Sequence, residues 1–112
     1  MKETVAVLDF ETTGLSPDMG DRATEIAIVL VRDGVFVDRF QSLMNSGRCI
    51  PPDVVQLTGI TNAMIAKAPP AEKVMMEAAR FVGKVPLVAH NASFDSKFWC
   101  AELGRLAIPA ML

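Results

Sequence analysis

The stretch VAVLDFETTGL, residues 5–15, places an apolar run, two acidic residues and a polar turn next to one another. The apolar run over residues 5–8 predicts a buried β-strand that ends at Asp9. Alternate side chains of an extended chain share a face, so Asp9 and Glu11 point the same way while Phe10 points into the core. The Cα atoms of the two acids would lie roughly 6.6 Å apart. That spacing suits carboxylates converging on a hard divalent cation, although acids at a solvated strand end are also common.

The segment Thr12-Thr13-Gly14-Leu15 follows the acids directly. Small residues allow a backbone to approach a ligand closely. No Gly-Lys-Ser/Thr follows, so this is not a phosphate-binding Walker loop. The Thr, Gly, Ser, Pro and Asp content of residues 12–21 predicts a loop, and without other signals the segment would be an ordinary turn.

The next segments predict an antiparallel meander. Residues 26–31 form a second apolar strand, and Asp33-Gly34 has the composition of a two-residue hairpin turn. Residues 35–43 then form a third strand. Its alternation predicts two faces, one with Val35, Val37 and Arg39 and the other with Phe36, Asp38 and Phe40.

Helices dominate the second half of the chain. Pro51-Pro52 opens a short helix that Gly59 ends, and a second short helix covers residues 62–67. Apolar residues recur at helical spacing from Ala71 to Val82, with Met75 and Met76 assigned to the core. A short strand at 87–89 and a helix over about 93–106 complete an α/β fold with a mixed sheet.

The segment His90-Asn91-Ala92-Ser93-Phe94-Asp95 connects the fourth strand to the last helix. Asn91 or Ser93 is expected to cap that helix, and Asp95 lies in its first turn, where the helix dipole favours a carboxylate. A structural role is expected for His90. If the fourth strand lies beside the first, Asp95 comes next to Asp9 and Glu11. Three such acids repel one another unless cations bind, and a pair of cations is a common device for phosphodiester cleavage.

Composition limits the functional classes. The chain has 112 residues, 51% of them hydrophobic, and a net charge of −2, which is unlike a protein that coats DNA. No apolar run is long enough to cross a membrane and no signal peptide is predicted. Cys49 and Cys100 are predicted to be small buried hydrophobic residues in a reducing, cytoplasmic protein. The apolar end at 108–112 is interpreted as an interruption within a fold.

Three motifs, in order along the chain, resemble the DEDD superfamily of DnaQ-like 3′–5′ exonucleases: residues 9–15, 57–61 and 90–95. Within that superfamily the nearest resemblance is to the proofreading epsilon subunits of bacterial DNA polymerase III. The resemblance implies a ribonuclease H-like mixed sheet with flanking helices. It also implies two Mg²⁺ or Mn²⁺ ions, with Asp9 bridging both, Glu11 holding the ion that activates water and Asp95 supporting the second ion. The substrate-contacting positions that it implies are Thr12, Thr13, Gly14, Leu15, Leu57, Thr58, Asn91 and Phe94.

The third motif of that superfamily, a His or Tyr base followed by a fourth metal-binding Asp, has no counterpart here. After Asp95 the only acid is Glu102. Residues 1–112 are therefore interpreted as a single exonuclease domain that is truncated at its C-terminal side. Such a truncation would leave apolar surface open, which predicts a homodimer or low solubility.

The function predicted from these motifs is removal of nucleoside 5′-monophosphates from a single-stranded 3′ end, DNA rather than RNA, in proofreading or repair beside a DNA polymerase. Two alternatives remain open. A chain without the third motif would be a module that binds nucleic acid or a polymerase without cleaving. The strand-end Asp9 also fits a haloacid-dehalogenase-like phosphatase. That class, however, has a second Asp at the position of Glu11 and is built from repeated parallel β-α units.

Overall fold

The computed structural model describes residues 3–106, and the predicted apolar end at 108–112 lies outside them. Residues 3–106 form four strands and four α-helices, with a short 3-10 turn (Pro17–Met19) in the loop after the first strand. In chain order they are β1 (Thr4–Thr12), β2 (Ala23–Arg32), β3 (Val35–Leu43), α1 (Pro52–Thr58), α2 (Asn62–Ala66), α3 (Ala71–Val82), β4 (Leu87–Ala89) and α4 (Ala92–Gly104).

The strands form one mixed sheet in the order β3-β2-β1-β4. β1, β2 and β3 pair antiparallel, and β4 pairs parallel to β1. The hairpin turn has positive φ at Asp33 (56°) and Gly34 (77°), as the tight turn requires. The predicted α/β class and meander are therefore confirmed. The described strands contain a single parallel pair, unlike the repeated parallel units of the phosphatase alternative.

β1 extends further than predicted. It continues through the acidic motif to Thr12, which pairs with Ala23 of β2, so Asp9 lies within the strand rather than at its end. The parallel pairing with β4 stops earlier, at Leu8 and Ala89. Beyond that point one edge of β1 is free of a strand partner in the described fold, and α4 begins beside it.

A β-bulge in β3 corrects the predicted faces of that strand. Leu30 pairs with Asp38 while Val31 pairs with Phe36, which makes Val37 an extra residue. The extra residue reverses the alternation. Phe36 and Phe40, which were predicted to share a face, therefore lie on opposite faces of the sheet. Phe36 is 80% exposed, whereas Phe40 packs on the core.

The core lies between one face of the sheet and the two longer helices, α3 and α4. Phe10 points into it, as predicted, with its ring centroid 6.3 Å from that of Phe98 on α4. Other buried members are Ala6, Leu8, Ile26, Ile28, Val74, Met75, Ala78, Trp99 and Leu103. None of the helices in residues 3–106 is long and apolar enough to cross a membrane.

Three predicted core positions are wrong. Met76 is 41% exposed, because it lies one residue beyond the buried Met75 and so faces away from the sheet. Cys100 follows the buried Trp99 on α4 and is exposed for the same reason. Cys49 is also free and exposed, in the loop before α1. The cytoplasmic location inferred from these cysteines stays a prediction.

Candidate active site

Asp95 connects the first turn of α4 to the acidic motif of β1. Its side chain is buried, with 1% of the residue exposed, and Oδ1 accepts a hydrogen bond of 3.1 Å from the backbone N–H of Phe10. Phe10 lies between Asp9 and Glu11, so this bond fixes Asp95 beside both acids. The structure thus places the third predicted carboxylate next to the first two, at the free edge of β1.

Two of the three acids, Glu11 and Asp95, have a raised pKa in the folded chain. Burial raises the pKa of Glu11, and the charges of Asp9, Glu25 and Asp95 raise it further. Burial is also the main cause of the raised pKa of Asp95, and the charge of Asp9 raises it further. The hydrogen bond from the Phe10 N–H and the charge of His90 lower this pKa and so offset part of the rise. Within residues 3–106 no Lys or Arg forms an ion pair with Asp9, Glu11 or Asp95. The site therefore holds negative charge that the described residues do not neutralise.

The donors at this site fit a hard divalent cation, because all of them are carboxylate oxygens and their charge is uncompensated. The fit is incomplete in one respect. Among the described residues no three His, Cys, Asp or Glu side chains are close enough to hold one ion together. The three acids are thus within electrostatic reach of one another but do not form a closed ligand cluster.

A cleft of about 430 Å³ opens beside Glu11. Its lining contains most of the predicted substrate-contacting residues, which come from the end of β1, the following turn, α1 and α4: Thr12, Thr13, Gly14, Leu15, Leu57, Thr58 and Phe94. Asn91, Asp9 and Asp95 are not part of the lining. The lining also contains three residues that were not predicted, Pro51, Asp53 and Val54. Their position after the loop residues 45–50 gave no signal of a ligand.

Apolar side chains stand out into solvent at this cleft. Leu15 and Leu57 are each 84% exposed, and Phe94 is held by ring contact with Phe98 at 4.9 Å between centroids. The Thr58 hydroxyl is engaged locally, since it donates to the Val54 carbonyl and accepts from the Ile60 N–H. The cleft therefore offers apolar surface beside an acidic edge. The apolar surface suits a nucleotide base, whereas the acidic edge would accept a phosphate only through a bound divalent cation.

Asp21 holds the turn that lines the cleft, a role that the sequence analysis missed. Oδ1 of Asp21 accepts a hydrogen bond from the Thr13 hydroxyl (3.0 Å), and Oδ2 accepts one from the Ser16 N–H (3.2 Å). A Cβ placed on Gly14 would collide with this carboxylate. The glycine is therefore required by the close approach of Asp21. The only sequence signal was an Asp at the far end of a loop that contains a Gly.

A buried ion pair attaches α4 to the start of β2 and was also missed. Nε and Nη2 of Arg22 donate to the two carboxylate oxygens of Glu102, each at 2.9 Å, and the Ala23 N–H adds a third bond of 3.1 Å. The two residues are 80 positions apart, so no local pattern predicts the pair. It fixes the rotation of α4 and, with it, the position of Asp95.

The expected side-chain cap of α4 is absent in the described structure. Asn91 occupies the N-cap position but its side chain makes no capping bond; its carbonyl instead accepts the N–H of Asp95. Ser93 lies inside the helix and is exposed. The first turn is instead tied to β1 through Asp95, which explains how it forms without the predicted cap.

A profile of the exonuclease family (RNase T) matches residues 6–111. Two relatives are a PolC-type DNA polymerase III of Bacillus cereus, 42% identical over 97 residues, and a 3′-5′ exonuclease DinG of Bacillus subtilis, 39% identical over 104 residues. These alignments cover 87% and 93% of this chain but 7% and 11% of the relatives. The chain therefore spans only a small part of the proteins that it resembles.

The fold is also similar to a solved structure, exonuclease X in complex with 5′ overhanging duplex DNA. The TM-score is 0.70 with 36% sequence identity, covering 84% of this chain and 52% of the other. The mixed sheet with one parallel strand is thus a ribonuclease H-like exonuclease fold.

Proposed function

The chain belongs to the exonuclease family, the DEDD-type 3′–5′ nucleases, and from this premise we propose that it removes nucleotides from the 3′ end of single-stranded DNA. The observation that carries the proposal is the hydrogen bond between Asp95 and Phe10, which brings all three acidic residues of the predicted motifs together. The adjoining cleft supports the proposal, because seven of the eight substrate-contacting residues that the resemblance implied line it.

In this proposal Asp9, Glu11 and Asp95 hold two divalent ions, Mg²⁺ or Mn²⁺. When bound, the ions would supply positive charge that offsets the charge developing on the scissile phosphate and would lower the pKa of a water molecule. The Phe10 N–H orients Asp95, and the Glu102–Arg22 pair fixes the helix that carries it. The two exposed leucines of the cleft, Leu15 and Leu57, pack against the terminal base, while Thr12 and Thr13 shape the turn around its sugar.

A cleavage assay tests the proposal. The chain is incubated with a 5′-labelled single-stranded oligonucleotide and Mn²⁺, and a ladder that shortens from the 3′ end is expected. Asp9→Ala should remove the ladder because it removes a proposed ion ligand. Asp38→Ala is the matched control, since Asp38 is exposed on β3 away from the cleft. A ladder that survives Asp9→Ala would contradict the assignment of the site.

A module that binds a 3′ end without cleaving it is the second candidate. The observation in its favour is that the described acids do not form a closed cluster of three ligands. This candidate would be selected over the enzyme if the wild-type chain bound Mn²⁺ but produced no ladder, and if Asp9→Ala abolished the Mn²⁺ binding.

We propose DNA proofreading or repair as the setting, because relatives of this chain include a polymerase and an exonuclease of bacterial DNA metabolism. Retention of the chain on an immobilised polymerase of the PolC type, and not on an unrelated one, would support a polymerase partner. The homodimer stays a prediction, which light scattering at several concentrations checks directly.

A further inference from the structure

A second cavity, of about 640 Å³, borders the same loop that follows β1. We name it the arginine cavity; its lining is Gly20, Arg22, Ser46, Gly47, Arg48, Cys49 and Arg105. This lining contains three arginines and no acid among the described residues. The active-site cleft has the opposite character, since its lining contains Glu11 and Asp53 but no Lys or Arg of the described chain. The two cavities therefore differ in the sign of the ligand charge that they favour.

Two of the three guanidinium groups are available to a ligand. Arg22 is already engaged, since it donates to the two oxygens of Glu102 and to the Ser46 carbonyl. Arg48 has 48% of its side chain exposed, and its nearest acid is Asp21 at 3.9 Å, a distance too long for a strong pair. Arg105 is exposed and has no ion pair within residues 3–106. A guanidinium fork matches phosphate oxygens in charge and geometry.

The backbone around Arg48 makes room for its side chain. Gly20 has φ of 89°, and a Cβ there would lie 3.1 Å from Nη1 of Arg48. The guanidinium thus packs close over the Gly20 backbone, which limits its rotamers. The buried Ser46 hydroxyl, on the same lining, has no hydrogen-bond partner in the described structure. An unpaired buried hydroxyl costs free energy that a bound anion would recover.

We propose that the arginine cavity binds a phosphate group, and that this group belongs to the backbone of the strand whose 3′ end occupies the cleft. The inference rests on the proposed function. Asp21 connects the two cavities, since it accepts the Thr13 hydroxyl on the cleft side and faces Arg48 on the other. In this proposal the strand leaves the cleft along this loop, so that its next nucleotides reach Arg48 beside Asp21 and then Arg105 on the same cavity lining. Free inorganic phosphate is the other source of the same chemistry, and the test separates the two.

Binding affinity as a function of strand length tests this inference. The oligonucleotides are a trinucleotide and a 12-mer with phosphorothioate linkages that resist cleavage, and binding is followed by fluorescence anisotropy at several salt concentrations. Arg48→Gln combined with Arg105→Gln should weaken 12-mer binding about tenfold and lower the salt slope by about 1.4, or about 0.7 for each phosphate contact to a single strand. The trinucleotide should lose little, because it is too short to reach both cavities. The control with the same charge change combines Lys73→Gln and Arg80→Gln, both exposed on α3.

The outcomes test whether the cavity binds phosphate and whether that phosphate belongs to the bound strand or is a free anion. Equal losses for both lengths, or no loss for either, overturn the inference. Amide shifts at 46–48 on adding inorganic phosphate, with 12-mer affinity unchanged in the double variant, would assign the cavity to a free anion and overturn the strand source. Arg48→Lys should recover most of the 12-mer affinity if charge is the cause. Failure of the exonuclease proposal would appear separately, as missing cleavage of an unmodified 12-mer that still binds through Arg48 and Arg105.

Discussion

Helix α4 buries two carboxylates, and their surroundings are opposite. Glu102, with 2% of its surface exposed, has both oxygens bonded to Arg22 and a further bond from the Ala23 N–H. Asp95, with 1% exposed, accepts a bond from the Phe10 N–H and forms no ion pair with a described Lys or Arg; burial and, to a lesser extent, the charge of Asp9 raise its pKa. One acid is neutralised by the fold and the other is left charged beside like charges.

The difference separates a residue that supports the fold from one that is kept for a ligand. Removal of one partner from a buried ion pair is strongly destabilising, because the other charge is left buried without compensation. A buried acid among other acids costs stability unless a cation binds, and such cost is typical of functional sites. The comparison predicts that changes at Glu102 act on stability, while changes at Asp95 act on activity.

Glu102→Leu should produce the largest effect on stability. It leaves Arg22 buried and charged without a partner, which costs about 3–5 kcal/mol of the free energy of unfolding. Urea denaturation measures the loss, and Glu72→Gln, exposed on α3, is the control. Adding Arg22→Met to Glu102→Leu should recover most of the stability. If Glu102→Leu alone were as stable as the wild type, Glu102 would not be a residue that supports the fold, and that part of the comparison would be wrong.

Asp95→Asn should leave the fold intact and reduce activity at least about 100-fold, or about 2.7 kcal/mol of barrier. The asparagine oxygen still accepts the Phe10 N–H, and one of three repelling charges is removed, so the midpoint of urea denaturation should not fall. Cleavage rates at saturating oligonucleotide measure the activity. Retained activity with lost stability would make Asp95 a structural acid like Glu102.

Gly14→Ala should have an intermediate effect, confined to the turn of the cleft. The added methyl group collides with the Asp21 carboxylate, which Thr13 and Ser16 hold in place, at a cost of about 1–3 kcal/mol. We expect a raised KM with a smaller change in kcat. Gly104→Ala, where no atom lies near the added Cβ, is the matched control and should be neutral or slightly stabilising. Equal effects of the two substitutions would contradict the role of Asp21.

Local patterns in the sequence were sufficient for most of the fold. Three of these patterns depend on neighbours a few residues apart: helix α1, opened by Pro51-Pro52 and ended by Gly59, the Asp33-Gly34 turn, and the apolar stripe of α3. The parallel fourth strand was part of the mixed sheet that the resemblance implied, and its place beside β1 was stated only as a condition, which the pairing of β1 with β4 meets. The bulge at Val37 was missed because it depends on how β2 and β3 pair, not on the composition of either strand.

The site was predicted in part, for the same physical reason. Asp9, Glu11 and the cleft residues around Thr13 are close in sequence and carry a recognisable pattern. Asp21 and the Arg22–Glu102 pair depend on contacts between distant segments, which no window of sequence contains. The supporting residues of a site are thus harder to predict than its reactive ones.

The smallest predicted effect is the dependence of stability on pH and divalent cations. Because the pKa values of Glu11 and Asp95 are raised in the folded chain, the folded state holds their protons at a pH where the unfolded state has released them. The free energy of unfolding should therefore fall as pH rises from the ordinary carboxyl pKa, about 4, through the raised values. Asp95→Asn should flatten this decline, because it removes one of the two groups whose pKa is raised. Mg²⁺ or Mn²⁺ at tenfold its Kd should add about 1.4 kcal/mol above this window and little below it, since only ionised carboxylates bind the cation. Thermal unfolding at several pH values, with the cation and with a chelator, measures both trends; a cation effect that is independent of pH would place the ion away from these acids.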